Sequence, residues 1–229
     1  MSARRIEAIV FDVYGTLLDV SAIGANADAA FPGHGAAIAA LWRQKQIEYT
    51  MLRTLGDRYA DFLQVTHDAL GFTLEQLGLP RDTGTMAALL AAYRHLRPHP
   101  ETLAALTALR GTGLGMAVLS NGTPDMLDDA LGNAGVRDLL GAVLSVDPLR
   151  RYKIAPDVYR LGTDHFGLPA SAILFVSSNG WDIAGAGWFG YTTFWINRAG
   201  AATERLGITP DFVGRSLDCV RRWVGEHNR

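Results

Sequence analysis

Unbroken apolar runs recur along the chain: AIVF (8–11), GMAVLS (115–120), AVLSV (142–146), AILFVS (172–177) and YTTFWI (191–196). A run without polar alternation predicts a strand covered on both faces. Between the runs, PETLAALTALRG (100–111) and PDVYRLGTDHFG (156–167) predict helices, each opening on proline and closing on glycine. Strands alternating with helices predict an α/β domain built on a mainly parallel sheet.

Residues 19–97 break this rhythm. They show no clear strand, and Ile38, Leu41, Trp42, Tyr49 and Leu52 fall at three-to-four-residue spacing. The stretch from GAAIAALW to VTHDAL (35–70) reads as helical throughout, and 84–96 adds another helix before RPHP (97–100) turns the chain back. A helical block inserted after the first strand makes a lid over that strand's end. The organisation expected is a Rossmann-like parallel-sheet core from 1–18 and 98–229, with a helical cap from 19–97. There is no internal repeat and no low-complexity tract.

Composition narrows the function classes. At 229 residues and 48% hydrophobic, the chain can bury a sizeable core in one domain with an insertion. A net charge of −2 carries no footprint of nucleic acid or of an anionic membrane surface. The pairs Arg4-Arg5, Arg150-Arg151 and Arg221-Arg222 read as solvated surface charge. A single cysteine, Cys219, rules out an internal disulfide and a cysteine-based metal site, and reads as a buried small hydrophobe in a C-terminal amphipathic pattern. No apolar run reaches 18 residues, so no membrane span is expected. Glu7 interrupts the start and no small-residue cleavage site follows, so this segment reads as leading into the first strand of a cytoplasmic protein.

In an open parallel sheet, ligands bind beyond the carboxyl ends of the strands. Asp12, Tyr14 and Thr16 follow the first predicted strand, and Ser120 and Asn121 follow the second. SVDPLRRYK leads from the third to Lys153, and the fourth is followed by Ser177, Ser178, Asn179, Trp181 and Asp182. Any one of these is ordinary turn or cap chemistry. Four strand ends all carrying polar residues point to one site.

FDVYGTLLD, LSNGTP, SVDPLRRYK and FVSSNGWDIAGA resemble, in order, the four motifs of the haloacid dehalogenase-like hydrolases, and more narrowly of the L-2-haloacid dehalogenases. LWRQKQIEYT in the lid is similar to that subfamily's cap. The resemblance covers essentially the whole chain. It implies catalytic roles for Asp12, Thr16, Lys153, Ser177, Asn179 and Asp182. It implies substrate or halide binding by Tyr14, Arg43, Ile47, Phe62, Ser120, Asn121, Tyr159 and Trp181. It further implies a homodimer and a small 2-haloalkanoate substrate, with no cofactor.

Phosphatase relatives carry a second Asp two residues after the nucleophile to protonate an alkoxide, and a further carboxylate to hold magnesium. Here those places are Tyr14 and Ser178. Asp12 and Asp182 beside Lys153 make a poor cage for a hard dication, so a metal-free site is expected. Halide needs no proton, and a neutral carbon presents no phosphate charge, so a carbon–halogen bond accounts for both losses. Asp12 then supplies a carboxylate nucleophile, and Asp182, oriented by Asn179 and Ser177, positions or activates water.

Several residues keep more than one reading. Lys153 is either a surface lysine or the partner that keeps Asp12 ionised. In YKIAPDVY an isoleucine follows it where Lys-Pro is commoner, with the spacing to Tyr159 preserved. Arg43 is a solvated helix arginine, a partner of Glu48, or a substrate and halide clamp that shares a face with Ile47. Phe62 and Trp181 are core aromatics or pocket lining. His34, His67, His95, His99, His165 and His227 lie away from the strand ends, and no G-x-S-x-G elbow occurs. The rivals to a dehalogenase are a magnesium-dependent phosphohydrolase and an inactive binding protein on the same fold.

Overall fold

The computed structural model describes residues 5–227; Arg4, of the first basic pair, lies outside them. Six strands form one sheet: β1 (Ala8–Phe11), β2 (Gly115–Ser120), β3 (Ala142–Ser145), β4 (Ile173–Ser177), β5 (Thr192–Ile196) and β6 (Phe212–Gly214). Their order is β3-β2-β1-β4-β5-β6, and every pairing is parallel. β1 is central, with Phe11 registered against Val118 on one side and Val176 on the other. The Asp12 amide continues the ladder, donating to Val176 O at 2.9 Å. A polar residue placed after β1 is thereby fixed on the best-supported strand of the sheet.

The central strands are fully buried, as unbroken apolar runs require. β3 is a correction: all four of its residues are half-buried, because it is an edge strand. The opposite edge, β6, was not expected; three residues carry too little pattern to be read as a strand.

Between β1 and β2 the chain forms α1 (Ala22–Ala30), α2 (Gly35–Leu55), α3 (Phe62–Gln76), α4 (Thr83–Ala91) and α5 (Thr102–Arg110). The stretch 35–70 is not helical throughout. Gly56 caps α2, Asp57 takes a left-handed φ of 52°, and Asp61 restarts the chain as the α3 cap, accepting Gln64 N–H at 2.8 Å. The break folds α3 back on α2, and the buried Trp42 indole ties them by donating to Thr66 O at 2.8 Å. Trp42 packs edge-on to Tyr93 at 5.2 Å, and Tyr93 meets Tyr14 at 5.9 Å, so the interior between these helices joins the loop after β1. Leu18 and Pro98 form an isolated bridge where the chain leaves and re-enters the sheet region.

The remaining helices are α6 (Pro124–Asn133), α7 (Pro156–Phe166), α8 (Gly180–Phe189) and α9 (Leu217–His227). α7 begins on Pro156 and ends at Gly167 with φ 64°. Cys219, on α9, is half-buried rather than buried, with its sulfur near Ser216 and Arg222. Among the described residues, no helix is long and apolar enough to cross a membrane.

Candidate active site

The loop after β1 closes tightly through Gly15, whose φ of 87° favours glycine. This turn carries Thr16 back under Asp12, and the Thr16 hydroxyl donates to Asp12 Oδ2 at 2.8 Å. The same hydroxyl accepts the Ser178 N–H at 2.8 Å, fastening the loop after β1 to the loop after β4. Asp12 Oδ2 also receives Asn179 Nδ2 at 2.9 Å and lies 3.4 Å from Ser177 Oγ. Among the described residues, Asp12 Oδ1 receives only Lys153 Nζ, at 3.0 Å. One oxygen is thus saturated with donors while the other keeps lone-pair capacity.

Lys153 is 1% exposed, which removes the surface reading. Its ammonium lies between two carboxylates, 3.0 Å from Asp12 Oδ1 and 2.8 Å from Asp182 Oδ2, with the Phe175 ring 5.2 Å away. Burial works against the lysine's charge, but Asp12 and Asp182 outweigh it and hold its pKa above the ordinary value. Asp182 is fully buried in the first turn of α8. Burial raises its pKa above that of an exposed carboxylate, although the Lys153 charge opposes this. The N-terminal end of α8 also favours a negative charge there.

Two sequence expectations are corrected here. Asn179 and Ser177 orient Asp12, not Asp182. Asp182 is instead held by Lys153 and by the Tyr159 hydroxyl, which donates to its Oδ1 at 2.8 Å. Tyr159, expected as a substrate contact, is fully buried behind Asp182 and is not among the residues lining the cavity beside Asp12. A Cβ on Gly185 would lie 2.5 Å from the Tyr159 oxygen, so the glycine makes room for that hydroxyl. Tyr191 fixes the backbone of Tyr159 by donating to its carbonyl at 2.6 Å.

A cavity of about 20 Å³ opens beside Asp12, lined by Tyr14, Arg43, Ile47, Thr50, Phe62, Ser120, Asn121, Lys153 and Trp181 as well. That is room for about one water molecule. Thr16, Ser177, Asn179 and Asp182 stand behind it. Phe62 is 3% exposed and is both core and wall. Asn121 is aimed by its Oδ1, which accepts Lys153 N–H at 3.1 Å. The Tyr14 phenol, buried on the cavity wall, has no hydrogen-bond partner among the described residues. Arg43 does not pair with Glu48, which binds Lys45; its Nη1 donates to Gln46 Oε1 at 2.7 Å and its Nη2 to Asn179 Oδ1 at 3.4 Å. Of the histidines, His99 touches the loop after β1, but its ring meets Gly15 O and lines no part of the cavity.

Sequence reasoning missed Thr50 and Gln46. Both lie on the Arg43 face of α2, at seven and three residues from it, and this spacing was the signal available.

The donor set does not suit magnesium. Asp12 and Asp182 already share the Lys153 ammonium, and the Ser178 hydroxyl lies 3.1 Å from Thr16 Oγ1. A hard dication needs several anionic oxygens, free of a competing cation. Among the described residues, no group of three or more His, Cys, Asp or Glu side chains is placed to hold a metal.

The sequence profile of the haloacid dehalogenase-like hydrolases matches residues 6–190. An (S)-2-haloacid dehalogenase of Pseudomonas sp. (strain YL) is 50% identical over 215 residues, covering 94% of this chain and 93% of its own. A solved L-2-haloacid dehalogenase superposes with a TM-score of 0.95 at 46% identity, over 96% of this chain and 99% of that one. The Xanthobacter autotrophicus L-2-haloacid dehalogenase, solved with chloropropionic acid covalently bound, gives 0.90 at 40% identity, over 96% and 98%. A parallel sheet with the acidic residue after its central strand, the helices α2 and α3 that line the cavity beside it and these likenesses together show that the chain belongs to the haloacid dehalogenase-like hydrolases, in their L-2-haloacid dehalogenase branch.

Proposed function

We propose that this enzyme hydrolyses short (S)-2-haloalkanoates to (R)-2-hydroxyalkanoates and halide through an ester on Asp12. The observation that carries the reading is the unequal treatment of the two Asp12 oxygens. Oδ2 is bound by Thr16 and Asn179, while Oδ1 is met by Lys153, and both Asp12 and Lys153 line the cavity. Such a carboxylate is held at a fixed angle with one oxygen ready to attack.

Oδ1 attacks C2 from behind the carbon–halogen bond. The C–O bond forms as the halide leaves with the bonding pair, and C2 inverts. Lys153 and Ser120 bind the substrate carboxylate, and Ile47, Phe62 and Trp181 enclose the alkyl group. Arg43, Asn121 and the unpartnered Tyr14 hydroxyl are the donors that receive the departing anion. Water then attacks the ester carbonyl, so the second step leaves C2 untouched. Asp182, whose burial raises its proton affinity, accepts the proton the water sheds. The ester C–O bond breaks, the leaving alkoxide takes a proton back from Asp182 and departs as the hydroxyacid, and Asp12, now carrying the oxygen of the water, gives up the second water proton to solvent as it returns to the carboxylate. No step calls for a metal.

The test is halide release from 2-chloropropionate with a chelator present. The wild type retains full release, and Asp12→Asn loses it nearly completely. A single turnover in oxygen-18 water places the label in Asp12; label in the first-turnover product rules out the ester. Phosphate-ester hydrolysis abolished by chelation would favour the phosphohydrolase instead.

A further inference from the structure

We infer that Gln46 is a positioning residue: it fixes the Arg43 guanidinium on the wall of the Asp12 cavity and so sets how well the site receives the departing halide. This rests on the assignment of Arg43 as a halide donor made above.

Gln46 is fully buried, and its amide is spoken for at both ends. Its Oε1 accepts Arg43 Nη1 at 2.7 Å, and its Nε2 donates to Thr66 Oγ1 at 2.7 Å. Thr66 is anchored in turn, its hydroxyl donating to Phe62 O at 2.6 Å within α3. Phe62 lines the same cavity as Arg43. The chain Phe62 O, Thr66, Gln46, Arg43 therefore runs from the backbone of one wall to the side chain of another, crossing the packed face of α2 and α3. A buried amide with both groups satisfied has one low-energy orientation, since flipping it sets donor against donor.

Arg43 needs such an anchor. It is half-buried and lines both the Asp12 cavity and an adjoining hollow of about 400 Å³ that also contains Tyr14, Trp181 and Arg198. Its other bond, to Asn179, is 3.4 Å long. Without Gln46 the guanidinium is free to swing into the larger hollow, away from the reacting carbon.

The experiment compares kcat/KM for 2-chloropropionate and 2-iodopropionate, using halide release, in the wild type, Gln46→Met, Thr66→Val, Gln46→Glu and Arg43→Met. Chloride concentrates its charge more than iodide and depends more on donors. Gln46→Met is expected to cut the chloro rate by roughly tenfold to a hundredfold and the iodo rate by much less, lowering the chloro-to-iodo ratio. Thr66→Val, which removes the far anchor, lowers the ratio less. Gln46→Glu keeps an acceptor for Arg43 and restores the ratio towards wild type. Gln46→Met adds nothing in an Arg43→Met background.

A purely structural role would lower both substrates alike and leave the ratio unchanged. Gln46→Met leaves Thr66 bound to Phe62 O, so the variant is expected to fold; should it not, Thr66→Val gives the ratio. An unchanged ratio in the Gln46 and Thr66 variants, with Arg43→Met lowering it, overturns the inference alone. An unchanged ratio in Arg43→Met takes down the halide assignment of Arg43 and the inference with it.

Discussion

Replacing Lys153 with methionine removes the single cation between Asp12 and Asp182. At contacts of 3.0 and 2.8 Å and an effective dielectric of about 20, each attraction is about 5–6 kcal/mol before desolvation. Burying three charges consumes most of that gain, so the triad's net contribution is far smaller than the sum. Its destruction is nonetheless costly, because both carboxylates stay buried and uncompensated: breaking such a pair costs about 3–5 kcal/mol. For a chain of this length that is a fall in melting temperature of about 6–20 °C. Asp182, already pushed up by burial, then loses the Lys153 charge that opposed this, and its folded pKa rises further above the unfolded value. Stability is therefore greatest below the unfolded pKa and is lost as pH rises through the folded one, so the deficit is larger at pH 8 than at pH 5. Circular-dichroism melts at the two pH values, with halide release on the same samples, measure this. A fall under 2 °C at both pH values, or retained turnover, would refute the electrostatic account of the triad.

Tyr159→Phe removes a hydrogen bond that favours the ionised form of Asp182. The acid limb of the kcat profile should move to higher pH, and a limb that stays put would mean that Asp182 does not titrate in the rate-limiting step. In the wild type Lys153 holds its proton more tightly folded than unfolded, above the ordinary lysine value of 10.5. Its contribution is fully present below that value and fades only as pH passes through the higher folded pKa, so stability and turnover should both hold to about pH 10; a lysine limb near neutrality would contradict this. Tyr14→Phe deletes a buried hydroxyl that has no partner among the described residues. Relief of an unsatisfied group worth about 1–3 kcal/mol should raise the melting temperature, while kcat/KM for 2-chloropropionate falls about tenfold through loss of a halide donor. A lower melting temperature would show that the hydroxyl is satisfied in the folded protein.

The parts of the fold legible in the sequence were those whose environment leaves a one-dimensional trace. Central strands buried on both faces read as unbroken apolar runs. α8 escaped notice because GWDIAGAGWF is small and apolar on nearly every side, with no 3.6-residue rhythm to betray a helix. The site divides in the same way. Position after a strand placed Asp12, Ser120, Asn179 and Asp182 near one another, since parallel strands deliver their ends to one edge. Which donor serves which oxygen was not legible. The first turn of α8 rotates Asp182 inward beneath Lys153, leaving Asn179 at the helix cap to face Asp12, and sequence spacing does not encode that rotation. Thr50 and Gln46 look like ordinary polar helix positions until α3 is folded against them.

Gly185 shows where sensitivity to mutation extends beyond the cavity. A single methyl group there would meet the Tyr159 oxygen at 2.5 Å and Ile154 at 2.8 Å, inside a region with no slack. The displaced tyrosine would release Asp182, and Asp182 would release its hold on Lys153. Gly185→Ala is therefore an active-site substitution in effect, made on a residue that never meets substrate. Tolerance to change around this site follows the empty volume reserved for Tyr159 rather than distance from Asp12, and an engineer widening the substrate range has more freedom at Ile47 on the wall than at this glycine behind it.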